Sequence, residues 1–300
     1  MPSTEQILWT LLDAGVLPAL LAAALVAGVC WLAGRFDPVP YVISAIVVAA
    51  GLALGTWLEK DFILRFPPGR PAWEWLGWVS FAALAIGILA RLPFVPPGVG
   101  WSLWGMASAH AGWLLTPVGL REGHWWIPLV LAGVIFTDWV VLEEVGRLDP
   151  RGFVPLLLVP AALTATILVI FISARFGGFA LVLTSCLAGV GIGGFITRRE
   201  GSGVSPAVAV MLPALALLTW YERPIEPETA TVPTISFVLA ALCPLALAPS
   251  LIPAWQRYQR KGLWAVQLLL VLVLLGSALG LAERAGALAL PAEAAEEEEW

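Results

Sequence analysis

Residues 98–142, GVGWSLWGMASAHAGWLLTPVGLREGHWWIPLVLAGVIFTDWVVL, contain both histidines of the chain, His110 and His124, and the one acid set well inside an apolar run, Asp138. Two apolar runs of roughly twenty residues flank a short polar turn from Arg121 to His124, and each is long enough to cross a bilayer. Lipid offers the backbone no hydrogen-bond partner, so each run must satisfy itself. Membrane strands are about half as long and alternate polar with apolar residues, which these do not. The stretch therefore predicts helices, and the chain around it repeats the pattern.

Composition extends this reading to the whole chain. Of 300 residues, 60% are hydrophobic and 12% charged, with a mean hydropathy of +0.89. A soluble domain carries about twice that share of charge. The expected fold is all-α: a polytopic transmembrane helix bundle of about ten spans, with nine to eleven compatible with the pattern. The first five apolar runs are Gly15 to Gly34, Tyr41 to Leu58, Trp73 to Ala90, Gly98 to Leu120 and Trp125 to Leu142. The second five are Phe153 to Ala174, Gly177 to Ile196, Val204 to Trp220, Thr234 to Ile252 and Leu263 to Leu281. The sixth and seventh are divided at Arg175 and Gly177-Gly178. The first run exceeds a signal-peptide core and is preceded by Glu5 and Asp13 rather than by basic residues, so it is expected to remain as a span.

One transmembrane domain over residues 1–281 is expected, followed by an acidic tail over 282–300. Glu293 and Glu296 to Glu299 repel one another there and favour a solvated, disordered segment. Tryptophans near run ends, among them Trp73, Trp75, Trp125, Trp126, Trp139, Trp220 and Trp264, suit the headgroup layer as anchors. Alternate connections carry nine basic residues on one side and seven on the other. The positive-inside rule leans toward the nine facing the cytoplasm, with both termini outside and the cell membrane as location.

Glycines recur at i, i+4 spacing: Gly51 with Gly55, Gly189 with Gly193, and Gly276 with Gly280. Gly105 joins Ser108, Ala109 and Gly112 in a fourth small-residue strip. Such seams let helix backbones approach closely in lipid, within the bundle or against a second copy or another membrane protein. Gly189 to Gly194 also fits G-x-G-x-x-G, but the pattern needs a strand before it and a helix opening at the glycines, and here it ends an apolar helix. Prolines fall inside several runs, and Pro244 with Pro249 marks the ninth as bent or broken. Split after the fifth run, the chain matches its glycine-rich second run to the seventh and its His110-bearing fourth to the ninth, the order expected of two five-span repeats in a transporter.

His110 and Asp138 are the candidate residues of a substrate or proton pathway. An imidazole at mid-membrane is expected to face the bundle interior, as a cross-helix hydrogen bond or as a proton relay. Asp138 can reach a similar depth: His110 lies roughly 15 Å before the connecting turn and Asp138 roughly 20 Å beyond it. The alternative, slightly favoured, places Asp138 on the polar edge with Glu143 and Glu144. His124 reads as interfacial.

No catalytic residue is assigned, since the sequence lacks H-E-x-x-H and G-x-S-x-G. No metal or cofactor is expected. The histidines stand about 21 Å apart along a helix axis, and Cys30, Cys186 and Cys243 fall singly in different runs. No motif ties the chain to a known family, and neither half is basic enough for nucleic acid. The lipid bilayer is the expected partner, and interrupted helices around a polar residue favour a small-solute transporter or permease over an enzyme. A non-catalytic scaffold or subunit of a membrane complex is the alternative, and an intramembrane enzyme the third.

Overall fold

Prolines set several of the helix ends. The computed structural model describes Ala24, Leu25 and Gly28 singly, then residues 39–58, 71–148, 153–170, 172–198, 202–223, 232–253 and 260–285. These form ten α-helices and three 3-10 segments, with no strand among the described residues. The rest of the first apolar run and the acidic tail beyond Ala285 lie outside them.

Helix α1 spans Val39–Leu58. A 3-10 turn, Ala72–Glu74, leads into α2, Trp75–Ala90. Helix α3, Pro97–Leu115, opens behind an extended Pro96 with Pro97 in its first turn, where the missing N–H costs nothing. It stops sooner than its hydropathy suggests. Thr116 precedes Pro117 and is driven to extended geometry (ψ 123°), because the proline ring clashes with a helical residue before it. The fourth run is thus two pieces rather than one span from Gly98 to Leu120, with the short α4, Val118–Gly123, continuing it. Arg223 before Pro224 and Ile252 before Pro253 end their helices by the same clash.

Helix α5 covers Ile127–Leu148 and α6 covers Phe153–Ile170. Helix α7, Ala174–Thr197, begins at an extended Ser173. The division between α6 and α7 therefore precedes Arg175 and Gly177-Gly178, which belong to α7. A Cβ on Gly177 would press on Ile170, so this glycine allows the close approach just after the turn rather than making the break. The glycine-rich run from Gly189 to Gly194 is continuous α7 helix.

A second 3-10 turn, Ser202–Val204, leads into α8, Ser205–Glu222. Helix α9 is short, Thr234–Ala241, and passes into a 3-10 segment, Cys243–Leu251, that contains Pro244 and Pro249. The two missing donors disfavour α-type pairing here, and the tighter turn is the result. The Leu247 carbonyl in this segment accepts from Ser250 Oγ (2.8 Å) and from Gln267 Nε2 (3.0 Å) on α10, Arg260–Arg284. Side chains thus satisfy irregular backbone inside an apolar segment.

Among the described residues, five segments are long and apolar enough to cross a membrane: Ala72–Ala90, Phe176–Thr197, Ser202–Glu222, Thr234–Leu251 and Gly262–Arg284. Tyr41–Ala53 and Val154–Ile170 are apolar but shorter. The architecture is all-α, with several helices suited to lipid.

Helix α8 packs against α2, α5 and α9, α6 pairs with α7, and α1 lies on α7. Gly203 sits where α1 passes: a Cβ there would strike the Tyr41 carbonyl and Ser44 Oγ. Gly51 meets Cys186 Sγ on α7 in the same way, while Gly189 and Gly193 are buried in α7. Gly55 lies in α1, with its packing outside the described residues. Gly112, rather than Gly105, makes the tight crossing of α3 on α5, against the Pro128 carbonyl and Ala132. Gly276 and Gly280 face open space.

Candidate functional site

Hydroxyls inside these helices mostly satisfy themselves. Ser80, Thr116, Thr166, Thr184 and Ser185 each donate to the carbonyl four residues earlier, which hides a polar group without a partner helix. His110 does likewise. Its Nδ1–H donates to the Met106 carbonyl at 2.9 Å, and the ring lies on the exposed face of α3. The expectation that His110 points into the bundle is therefore corrected: a bond within its own helix removes the need to turn inward. Met106 and Trp113 are exposed on the same helix, and His124 is exposed at the end of α4.

Asp138 behaves in the opposite way. It is fully buried on α5, where the polar-edge reading would have left it wet. Leu131, Ile135, Leu142 and Val145 recur with it at helical spacing and are buried as well, so the acid sits within the packed face. Neither carboxyl oxygen has a hydrogen-bond partner among the described residues, and no pairing with His110 is formed. Across from it lies the 3-10 segment, whose buried Cys243 is within electrostatic reach of the carboxyl.

The neighbouring α3–α5 contact holds further unsatisfied polar atoms. Trp104 and Trp139 stack with ring centroids 5.9 Å apart, both buried, and neither indole N–H has an acceptor among the described residues. Ser108 Oγ, one turn from Trp104, is buried and unpaired there too. Trp139 is thus an interior ring and not the interfacial anchor its position suggests, whereas Trp125 and Trp126 remain exposed. Native interiors leave few such atoms, and a local cluster marks a place for water, an ion or a bound polar solute.

A second polar centre lies toward the other end of α5. Glu143, fully buried, accepts from Arg91 Nε at the end of α2, and Tyr41 Oη of α1 lies 3.5 Å from its other oxygen. The guanidinium also covers the Tyr41 ring at 4.9 Å. This group ties three helices together. Glu144, one residue on, pairs with Arg147 near the surface.

Sequence reasoning missed Glu143 as an interior ion pair and missed Gln267. The latter had a visible signal, a lone amide in the run from Leu263 to Leu275. Among the described residues, no three His, Cys, Asp or Glu side chains gather as a metal site would require. A cavity of about 440 Å³ lies between α5, α8 and α9, and neither His110 nor Asp138 lines it. No protein-family model matches the chain, and no curated protein does.

Proposed function

We propose that this chain is a multi-pass membrane carrier for a small polar solute, with Asp138 as the group that takes up the solute's donor or a proton during transfer. The observation that supports it is the buried Asp138 carboxyl without a partner, beside an interrupted helix and unpaired Trp104, Trp139 and Ser108 groups. Leaving an ionised carboxylate uncompensated in such surroundings is expensive, so a partner that arrives and departs gives it a reason to be there. Broken helices beside such a residue suit a solute site near the bilayer midplane. In this reading the polar pathway runs through Asp138 and omits His110. The single membrane domain includes α10 to its end at Arg284, and both termini face away from the cytoplasm of the cell.

The test uses the full chain in vesicles with a trapped pH-sensitive dye, supplied with a panel of small amines, amino acids and sugars. At least one solute is expected to enter with a dye response, and Asp138→Asn to remove the coupled response while the protein stays monodisperse. Wild-type coupling in Asp138→Asn would overturn the role of the carboxyl.

A scaffold role has one observation in its favour, the open faces of Gly276 and Gly280 on α10. A stable complex with another membrane protein that breaks on Gly276→Leu, with no uptake of any solute, would replace the carrier reading by this one.

A further inference from the structure

The cavity between α5, α8 and α9 is an open-sided groove with apolar walls. It runs from Trp126, Trp220 and Thr234 at one end to Val134, Pro213 and Leu242 at the other. The first set lies at the start of α5, the end of α8 and the start of α9, and so marks one side of the bundle. Leu242 lies eight steps along the chain from Thr234, a length of about 12 Å along a helix. One leaflet of hydrocarbon is about 15 Å deep, half of the roughly 30 Å core. The groove thus reaches from an interfacial tryptophan pair toward the middle of the bilayer, the span of one acyl chain in one leaflet.

Its mouth holds a cation, next in the chain to Glu222 at the end of α8. Arg223 follows Trp220 by three residues, lies over that ring at 5.5 Å, and donates to Thr234 Oγ1 at 3.2 Å. Trp220 Nε1 donates to the same hydroxyl at 3.1 Å. A cation held against two groove-lining residues, at the level of the tryptophan belt, is placed for a phosphate ester. We infer that this groove is a binding site for a glycerophospholipid, with one acyl chain between α5, α8 and α9 and its phosphate on Arg223. Asp138 does not line the groove, so the fate of this site and that of the carrier reading are separable.

Native mass spectrometry of the full chain, with phosphatidylglycerol and with diacylglycerol of the same chains as probes, tests it. The pair differs in the phosphate-bearing headgroup. Wild type is expected to retain the phospholipid about five- to tenfold more tightly. Arg223→Gln should erase that preference. Val238→Trp, at an exposed position on the groove wall, should reduce retention of both probes, whereas Val273→Trp on the exposed face of α10 should not. Ala241→Phe fills the same groove and serves if the Val238 variant aggregates. Equal retention of both lipids by wild type, or full retention in the filled variants, overturns the proposal. A dimer that dissociates on filling the groove would overturn it as well, by giving the groove to a second copy of the chain.

Discussion

Helices α8 and α10 are both long apolar spans, and α10 is the more hydrophobic of the two, yet 94% of the apolar window of α8 is buried against 28% of that of α10. Helix α8 sits among α2, α5 and α9, with small residues such as Ala207, Ala209 and Ala214 letting its neighbours close in. Helix α10 packs one side on α6, α9 and the 3-10 segment and shows Leu269, Leu272 and Val273 outward. Hydropathy reports only suitability for an apolar medium, and lipid and protein interior are both apolar. What separates the two helices is side-chain size and the few polar ties. Ser236 Oγ to the Ala278 carbonyl (2.8 Å) and Gln267 to Leu247 fasten the inner face of α10 and leave its outer face bare.

If the interior around α8 and the rim differ as described, matched substitutions should separate them, and the largest gap belongs to charge. Arg91→Ala takes the cation away from the fully buried Glu143 and should cost about 3–5 kcal/mol, whereas Arg147→Ala, on the exposed pair with Glu144, should cost under about 0.5 kcal/mol. Reversible unfolding in mixed micelles measures both. Equal losses would show that Glu143 is compensated elsewhere.

Packing comes next. Leu215→Ala in α8 should cost about 1–3 kcal/mol through lost contacts and a cavity, because the water-transfer part of the usual penalty is absent in lipid. Leu272→Ala on the rim should fall within about 0.5 kcal/mol of zero. The same unfolding assay decides, and a large loss at Leu272 would mean that a partner covers α10.

The smallest contrast concerns one methyl group. A Cβ on Gly87 would sit 2.6 Å from the Pro206 ring of α8 and 2.8 Å from Tyr41 Oη, so Gly87→Ala should cost about 1–2 kcal/mol as helices move apart. Gly276→Ala meets nothing and should be silent in a monomer. Sedimentation in detergent sharpens this. A Gly276 variant that changes association state would turn the open face of α10 into an interface.

Local chemistry makes much of the fold legible in the sequence. Proline sterics act between adjacent residues, so the ends at Thr116, Arg223 and Ile252 follow from Thr-Pro, Arg-Pro and Ile-Pro pairs. At Thr116 hydropathy points the other way, because the apolar run continues to Leu120 past the proline. Arg175 and the following glycines mislead in the opposite sense, since a glycine pair marks close approach as readily as a turn. The candidate site is half legible: both residues stand out as polar intruders, but their directions are the reverse of those expected. A histidine can bond its own helix four residues back, as His110 does, and a carboxylate has no donor with which to do so.

The sequence by itself determined that this chain is helical, apolar enough for several helices to cross a membrane, and where most of those helices start and stop. Each of these depends on hydrogen bonds and steric clashes within a few residues, or on composition summed along a run. Only the tertiary structure decided that α8 is central and α10 peripheral, that Asp138 is buried while His110 faces out, and that Glu143 belongs to Arg91 and Tyr41. Those outcomes turn on which faces meet, and when lipid and protein interior are equally apolar, small differences in side-chain size and polar pairing select the partner.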